Sequence, residues 1–251
     1  MNLEKVIAVR NSKKLYRDGN DKVVKVFDEN YSKVDVLNEA LNQAMVDNLE
    51  EINVPKIYSV ETVDGKWAIV YQYISGKSLA DLMDENPDKL DEYLNTFVDL
   101  QLKMHQVKGI NLKKLKDKMN MKISQTSLDL TTRYELHTRL EGMPKHNKLC
   151  HGDFNPSNII VKEDGELYII DWSHATQGNA SADVARTYLL FSLEGKNELA
   201  DKYLNLYCEK SGVAKKYIQS WLPIVAASQS VKGKPEEREM LLSWASVVDY
   251  E

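Results

Sequence analysis

The segment from Cys150 to Trp172 constrains this chain more than any other part of it. It opens with His151-Gly152-Asp153-Phe154-Asn155-Pro156-Ser157-Asn158 and continues as Ile159-Ile160-Val161. It then turns at Glu163-Asp164-Gly165-Glu166 and returns as Leu167 to Trp172. Two short apolar runs about an Asp-Gly turn read as a hairpin. Folding back at that turn brings Asn158, just before the first strand, alongside Asp171, at the end of the second. Asp153 lies upstream on an irregular segment stiffened by Pro156, which is expected to aim it at the same cleft from the other side.

Taken singly, these residues have ordinary explanations. Asp153 suits a turn, Asn158 a cap, and Asp171 an Asx turn at a strand end. As an ordered set at the ends of two apolar strands they point to chemistry. An amide oxygen and a carboxylate are hard ligands that suit Mg2+, which keeps coordination positions for phosphate and water. A further carboxylate able to take a hydroxyl proton completes most of what phosphoryl transfer asks of a protein.

The 251 residues allow one large domain or two lobes. With 43% hydrophobic and 28% charged residues, the chain is neither disordered nor a disulfide scaffold. A net charge of −5 argues against nucleic-acid binding, which selects basic faces. It would suit a cationic small molecule, but it is first of all an ordinary solubility feature. Two cysteines, Cys150 and Cys208, are too few for a stapled secreted fold, so a cytoplasmic home is expected. Cys150 beside His151 reads as a small buried residue at a strand end, because no base or orienting partner stands near it in sequence. No apolar run approaches the roughly 18 residues of a membrane span, and Met1 to Arg10 has no signal-peptide pattern.

Before this segment, Lys14–Arg17 and Lys22–Phe27 flank the turn Asp18-Gly19-Asn20-Asp21 and read as a hairpin. Val34–Val46 reads as a helix with Leu37, Leu41 and Ala44 on its apolar stripe and Met45 beside them. Lys56–Val60 and Trp67–Tyr73 read as strands on either side of Asp64-Gly65. After Gly76 the pattern turns helical, beginning with a capping-box signature at Ser78-Leu79-Ala80-Asp81. Lys108–Pro144 is expected to be helical in its middle. Beyond Ser181, Val184, Tyr188 and Phe191, and then Leu199, Tyr203, Leu206 and Tyr207, recur at helical spacing. An apolar closing segment, Met240–Val248, ends the pattern. The fold class expected is α+β, with lobes at 1–75 and 76–251.

His-Gly-Asp, then Asn, then a hairpin ending in Ile-Asp-Trp resembles the aminoglycoside phosphotransferase and choline kinase-like family of the protein-kinase-like superfamily. The likeness is specific around Cys150–Phe191 and looser elsewhere. It implies a bilobal protein-kinase-like fold, with a small sheet-plus-helix N-terminal lobe for the nucleotide and a larger, mostly helical C-terminal lobe for catalysis and the acceptor. It implies ATP or GTP as co-substrate, Mg2+, and transfer to a hydroxyl of a small molecule. By resemblance, Asp153 is the catalytic base, and Asn158 and Asp171 hold the metal. His151 is a structural support of the loop. Asp183 resembles the buried aspartate that braces the catalytic loop, although as a first-turn acid of a helix it needs no such role. Lys25, charged within the apolar run Val23–Phe27, resembles the ATP-binding lysine, with Glu39 as its expected partner and Asp35 as competitor. Tyr73 and Ile74 match the backbone positions that meet the base, and Gly76 would permit lobe movement. The sequence departs from protein kinases in its first hairpin, where Asn11-Ser12-Lys13-Lys14 and Gly19 replace a glycine-rich loop.

Two other functions fit parts of this pattern. A catalytically degenerate kinase-like module would explain the missing glycine loop, yet it leaves the retained Asp153, Asn158 and Asp171 without a purpose. A metal-dependent hydrolase built on His151, Asp153 and Asp171 would need more converging ligands.

Overall fold

The computed structural model describes residues 3, 5–10, 12–231 and 234–245. The chain starts with β1 (Lys5–Arg10), β2 (Lys13–Asp18), β3 (Lys22–Phe27), α1 (Lys33–Val46), β4 (Ile57–Val63), β5 (Lys66–Gln72), β6 (Lys77–Ser78) and α2 (Leu79–Glu85). There follow α3 (Leu90–Met104), α4 (Leu115–Ser124), α5 (Leu130–Gly142), β7 (Lys148–Cys150), β8 (Ile159–Val161), β9 (Leu167–Ile169) and β10 (Thr176–Gly178). The last helices are α6 (Ala180–Leu193), α7 (Asn197–Ser211), α8 (Lys215–Gln219), α9 (Leu222–Ser230) and α10 (Pro235–Ala245). This is the expected α+β class. Asn11 and the end of the expected Met240–Val248 segment lie outside the described residues.

The chain folds into two compact units, one of 1–89 with 156–174 and one of 90–155 with 175–251. The β8–β9 hairpin therefore groups with the N-terminal sheet, far from it in sequence.

In the first unit, five antiparallel strands run in the order β1-β2-β3-β5-β4. Period-two alternation sorts β3 between two cores. Val24 and Val26 pack with Ala68 and Val70 on one face. Phe27 packs with Ile69, Val36 and Ala40 on the other, the face that carries α1. Lys25 shares the Phe27 face and pairs in register with Ile69. The β4–β5 turn is the two-residue Asp64-Gly65, both at positive φ (50° and 77°), the conformation a tight hairpin needs. A second sheet, in the order β6-β8-β9, holds the later hairpin.

The helix α1 forms where expected but is turned relative to the expected stripe. Val36, Glu39, Ala40, Gln43 and Val46 are buried, whereas Leu37, Leu41 and Met45 are exposed. At α2 the expected cap forms, with Ser78 Oγ accepting the Asp81 N–H at 3.0 Å. The Asp81 carboxylate accepts the Ser78 hydroxyl at 2.6 Å, rather than reaching back to a backbone amide.

In the second unit, β7 and β10 form an antiparallel ribbon with Cys150 opposite Thr176. Helices surround it. Phe97 anchors their core, with ring centroids 4.7 Å from Phe154 and 5.7 Å from Tyr203. Two helices, α4 and α5, occupy the charged stretch in which helix was expected.

Candidate active site

The first unit builds a chain of charge around Lys25. Its Nζ lies 2.5 Å from Glu39 Oε1 and 3.1 Å from Asp171 Oδ1. Lys25 and Glu39 are both buried. Glu39, not Asp35, is the partner, because residues 36, 39, 40 and 43 line the face of α1 that meets the sheet. Glu39 also accepts from Lys13 Nζ at 2.8 Å and from the Tyr71 hydroxyl at 3.3 Å.

Burial works against a charged Lys25, but the Asp171 and Glu39 carboxylates outweigh it and hold the ammonium above its ordinary range. Burial likewise pushes the Asp171 carboxyl up. The charges of Lys25 and Lys13 and hydrogen bonds from Lys25 and Ser173 reverse that, leaving it well below the usual carboxylate range. Tyr71 is pushed well above its ordinary value by burial and by the Glu39 and Asp171 charges. The site is thus fixed as ammonium between two carboxylates.

Asp171 stands at φ 62°, a left-handed backbone rare for a residue with a side chain and costly unless the surroundings enforce it. The surroundings here are the Lys25 ion pair and the Asn42 side chain, which donates to the Ser173 carbonyl at 3.2 Å. The hairpin register pairs Ile159 with Ile169. One step further, the Asn158 carbonyl accepts the Ile170 N–H at 2.9 Å. Asn158, buried, and Asp171 therefore stand at the same end of the hairpin.

Tyr73 donates its backbone N–H to the Asp21 carbonyl at 2.7 Å, and its ring lies under the Arg17 guanidinium at 4.5 Å. Gly76 has a packing reason to be glycine. A Cβ there would stand 2.3 Å from the Val161 carbonyl oxygen and 2.8 Å from Ile160 Cγ2.

In the second unit, the loop after β7 is braced from α6. Asp183 accepts the backbone N–H of His151 at 3.1 Å and of Gly152 at 2.7 Å. It is at once a first-turn acid of α6 and an acceptor for the loop. His105 Nε2 lies 3.2 Å from the same carboxylate, and His105 Nδ1 lies 3.1 Å from the Tyr207 hydroxyl. Burial would raise the Asp183 carboxyl. Hydrogen bonding from His105 and the Gly152 amide holds it below its ordinary value instead. An ionised Asp183 requires the proton of His105 on Nε2.

His151 is buried and accepts the Asp153 N–H on Nδ1 at 3.2 Å. The Asp153 carboxylate is held by Arg186, Nη2 to Oδ1 3.1 Å. Asn155 Nδ2 donates to the Asp153 carbonyl at 3.0 Å. Arg186 donates its other arm to Gln229 Oε1 at 2.6 Å.

Sequence reading missed Arg186, His105 as a brace, and Tyr71. Arg186 directly follows the Ser-Ala-Asp-Val-Ala run around Asp183, and a lone arginine on an otherwise apolar helix was the available signal. Cys150 is buried and its thiol is pushed well above its ordinary value by burial, which makes it a poor nucleophile. Among the described residues no group of three His, Cys, Asp or Glu side chains stands where it could hold a metal ion. No described helix is long and apolar enough to cross a membrane.

Comparison with known proteins places the chain in a class. The profile of the phosphotransferase enzyme family (APH) matches residues 7–217, and the chain belongs to that family. Its class is that of the small-molecule kinases. No curated protein matches it in sequence.

Among solved structures, one similar fold is a thermostable mutant of aminoglycoside phosphotransferase APH(4)-Ia in ternary complex with AMP-PNP and hygromycin B. It has a TM-score of 0.68 at 14% identity, over 96% of this chain and 89% of that one. Choline kinase LicA from Streptococcus pneumoniae superposes with a TM-score of 0.60 at 16% identity, over 100% of this chain and 88% of that one. An aminoglycoside-3'-phosphotransferase of type VIII gives 0.64 at 15% identity, over 90% and 92%.

Proposed function

We propose that this chain transfers the γ-phosphoryl group of ATP or GTP to a hydroxyl of a small molecule. The observation that carries the reading is the Glu39–Lys25–Asp171 chain of charge. A buried lysine kept protonated between two carboxylates is expensive. It is well explained as a phosphate ligand positioned by one acid and paired, before nucleotide arrives, with another.

In this reading the acceptor oxygen bonds to the γ-phosphorus as the bond to the bridging oxygen of the leaving diphosphate breaks. Asp153, held by Arg186 and Asn155, orients the hydroxyl and takes its proton. Lys25, with Lys13 close by on Glu39, meets the phosphates. Tyr73 and Ile74 meet the base through their backbones. Because the Tyr73 N–H is already given to Asp21, its carbonyl is the group it offers. His151 and Asp183 keep the loop in place. Asn158 and Asp171 fit Mg2+: the donors are one amide and one carboxylate held ionised, and the ion supplies charge neutralisation on the phosphates when bound.

Nucleotide as co-substrate is supported by the AMP-PNP complex of the relative named above. The choline kinase likeness and the net charge of −5 put hydroxylated amines first among acceptors. The test is ATP and GTP consumption with a panel of amino alcohols, aminoglycosides and sugars, in wild type and Asp153→Asn. The variant is expected to lose roughly 10²–10⁴-fold in turnover, the usual worth of a general base, with nucleotide affinity retained. Near-normal turnover in the variant would remove Asp153 from this role. Nucleotide binding by wild type with no transfer to any acceptor would favour the degenerate module.

A further inference from the structure

The loop backbone is held on both sides of Asp153 by side chains of α6. Before it, the His151 and Gly152 amides donate to Asp183. After it, the Phe154 carbonyl accepts the Thr187 hydroxyl at 2.7 Å. Thr187 Oγ1 also lies 3.3 Å from the Asp183 carbonyl of its own helix, so its proton goes to the nearer oxygen, on the loop. Asp183 and Thr187 stand four residues apart on α6 and share a face of it.

Each of the two has a further partner, and those partners are again four residues apart. His105 Nε2 meets Asp183 Oδ2 at 3.2 Å, and Gln101 Nε2 donates to Thr187 Oγ1 at 3.5 Å. Gln101 lies in α3. His105 follows its last residue and still gives its backbone N–H to the Gln101 carbonyl at 2.9 Å. Two tyrosines of α7, four residues apart once more, complete the pattern. The Tyr203 hydroxyl donates to Gln101 Oε1 at 2.6 Å. The Tyr207 hydroxyl lies 3.1 Å from His105 Nδ1.

Two parallel rungs thus run from α7 through α3 and α6 to the loop, one ending before Asp153 and the other after it. Proton directions agree along both. With the His105 proton on Nε2, Nδ1 accepts from Tyr207. With Gln101 Oε1 taking the Tyr203 proton, the amide nitrogen is left to donate to Thr187. Burial pushes both tyrosine hydroxyls above their ordinary value, so both remain donors. None of the six side chains is more than 3% exposed. Apolar residues of the same shape would fill this core at least as well. A buried polar network with every member matched holds its members in one arrangement, and here that arrangement ends on the backbone beside Asp153.

We infer that Tyr203 and Tyr207 are positioning residues, which fix Asp153 from both sides through these two rungs. The inference rests on the reading of Asp153 given above.

The experiment removes only the two hydroxyls. Tyr203→Phe and Tyr207→Phe, singly and together, are compared with Leu204→Val, a buried position of the same helix outside the network. ATP turnover is followed with water as acceptor and with the acceptor panel above. Each tyrosine variant is expected to lose about threefold to tenfold in kcat, the scale of one neutral hydrogen bond, and the double variant more. The KM for ATP should not move. Leu204→Val should lower the melting temperature at least as much and leave kcat where it was. In the 15N-labelled full chain, the His151 and Gly152 amides should exchange with solvent about tenfold faster in Tyr207→Phe than in Leu204→Val. If the double variant does not fold, the single variants decide. Wild-type kcat in the phenylalanine variants, a loss of kcat that Leu204→Val shares, or equal exchange of the two amides would overturn this proposal alone. A wild-type protein that turns over no ATP would remove the reading of Asp153, and this proposal with it.

Discussion

The guanidinium of Arg186 holds the carboxylate of Asp153, Nη2 to Oδ1 3.1 Å, while its other arm rests on Gln229. A general base must sit within hydrogen-bond reach of one proton, so its orientation matters as much as its charge. Arg186 fixes that orientation from α6, the helix that also supplies Asp183 to the loop. It is a positioning residue. Arg186→Met is expected to lower kcat by about 10–100-fold, the scale of losing alignment of a reacting group. Nucleotide affinity should be unchanged, and Arg186→Lys should recover only part of the loss, because a lysine cannot span Asp153 and Gln229 together. Steady-state kinetics beside a nucleotide titration would check both.

Glu39 offers a test of stability. It joins Lys13 and Lys25, and its side chain and that of Lys25 are only 5% and 8% exposed. Removing one member of such a set strands the other charge away from water. Glu39→Ala is expected to cost about 3–5 kcal/mol, and Glu39→Gln less, because the amide oxygen still accepts from Lys25. Urea unfolding curves of the two variants would separate these outcomes. Equal and small losses would mean that Lys25 is held mainly by Asp171.

What the sequence made legible follows from how local the signals are. The β8–β9 hairpin was readable because its turn and both strands are contiguous, and so was the approach of Asn158 to the Asp171 end. Lys25 stood out as a charge in an apolar strand. The brace from Asp183 to the His151 loop runs between residues far apart in sequence, and only the family resemblance hinted at it. For Arg186 the sequence offered only a lone arginine on an apolar helix, with nothing to say that it meets Asp153. The face of α1 was misjudged for a physical reason. Periodicity shows which residues share a face but not which face meets the sheet, and here the buried face contains Glu39 and Gln43, two polar residues with partners. Gln43 donates to the Pro55 carbonyl at 2.6 Å. The more apolar stripe was left outside.

That reversal makes its own prediction. Leu41 is 52% exposed, whereas Ile69 beneath α1 is fully buried. Leu41→Gln should change stability by no more than about 0.5 kcal/mol. Ile69→Ala should cost about 2–5 kcal/mol, through lost burial and the cavity left behind. If the two substitutions cost the same in thermal unfolding, α1 is seated by the other face.

Gly76 was expected to serve as a hinge, but its packing gives a sharper expectation. A Cβ would stand 2.3 Å from the Val161 carbonyl oxygen, and β6 pairs with β8 directly beyond it, Lys77 with Val161. Backbone cannot yield as a flexible side chain can. Gly76→Ala is expected to cost about 1–3 kcal/mol as an overpacked site, by displacing β6 from β8. Chemical denaturation measures it, and protection of the Lys77 and Val161 amides from hydrogen exchange should fall in the same variant.

Asp183 sets a pH dependence. Its carboxyl is held below its ordinary value in the folded chain, against the pull of burial, by His105 and the Gly152 amide. The unfolded chain therefore binds a proton there more readily than the folded chain does, and stability rises with pH through the carboxylate range. The contribution is complete above the ordinary aspartate value of about 3.9 and is lost as the pH falls below it toward the depressed folded value. Asp171, Asp129 and Asp164, depressed as well, add to the same trend, so the wild-type slope alone does not isolate Asp183. Asp183→Asn does. It should destabilise the protein at pH 7 by about 1–3 kcal/mol, because an amide can accept from the loop less well and leaves His105 Nε2–H poorly matched. It should also flatten the acid limb of the stability profile relative to wild type, leaving the part that the other depressed carboxylates supply. Parallel acid limbs in the two proteins would show that Asp183 is not the charged acceptor on which the His151 loop rests.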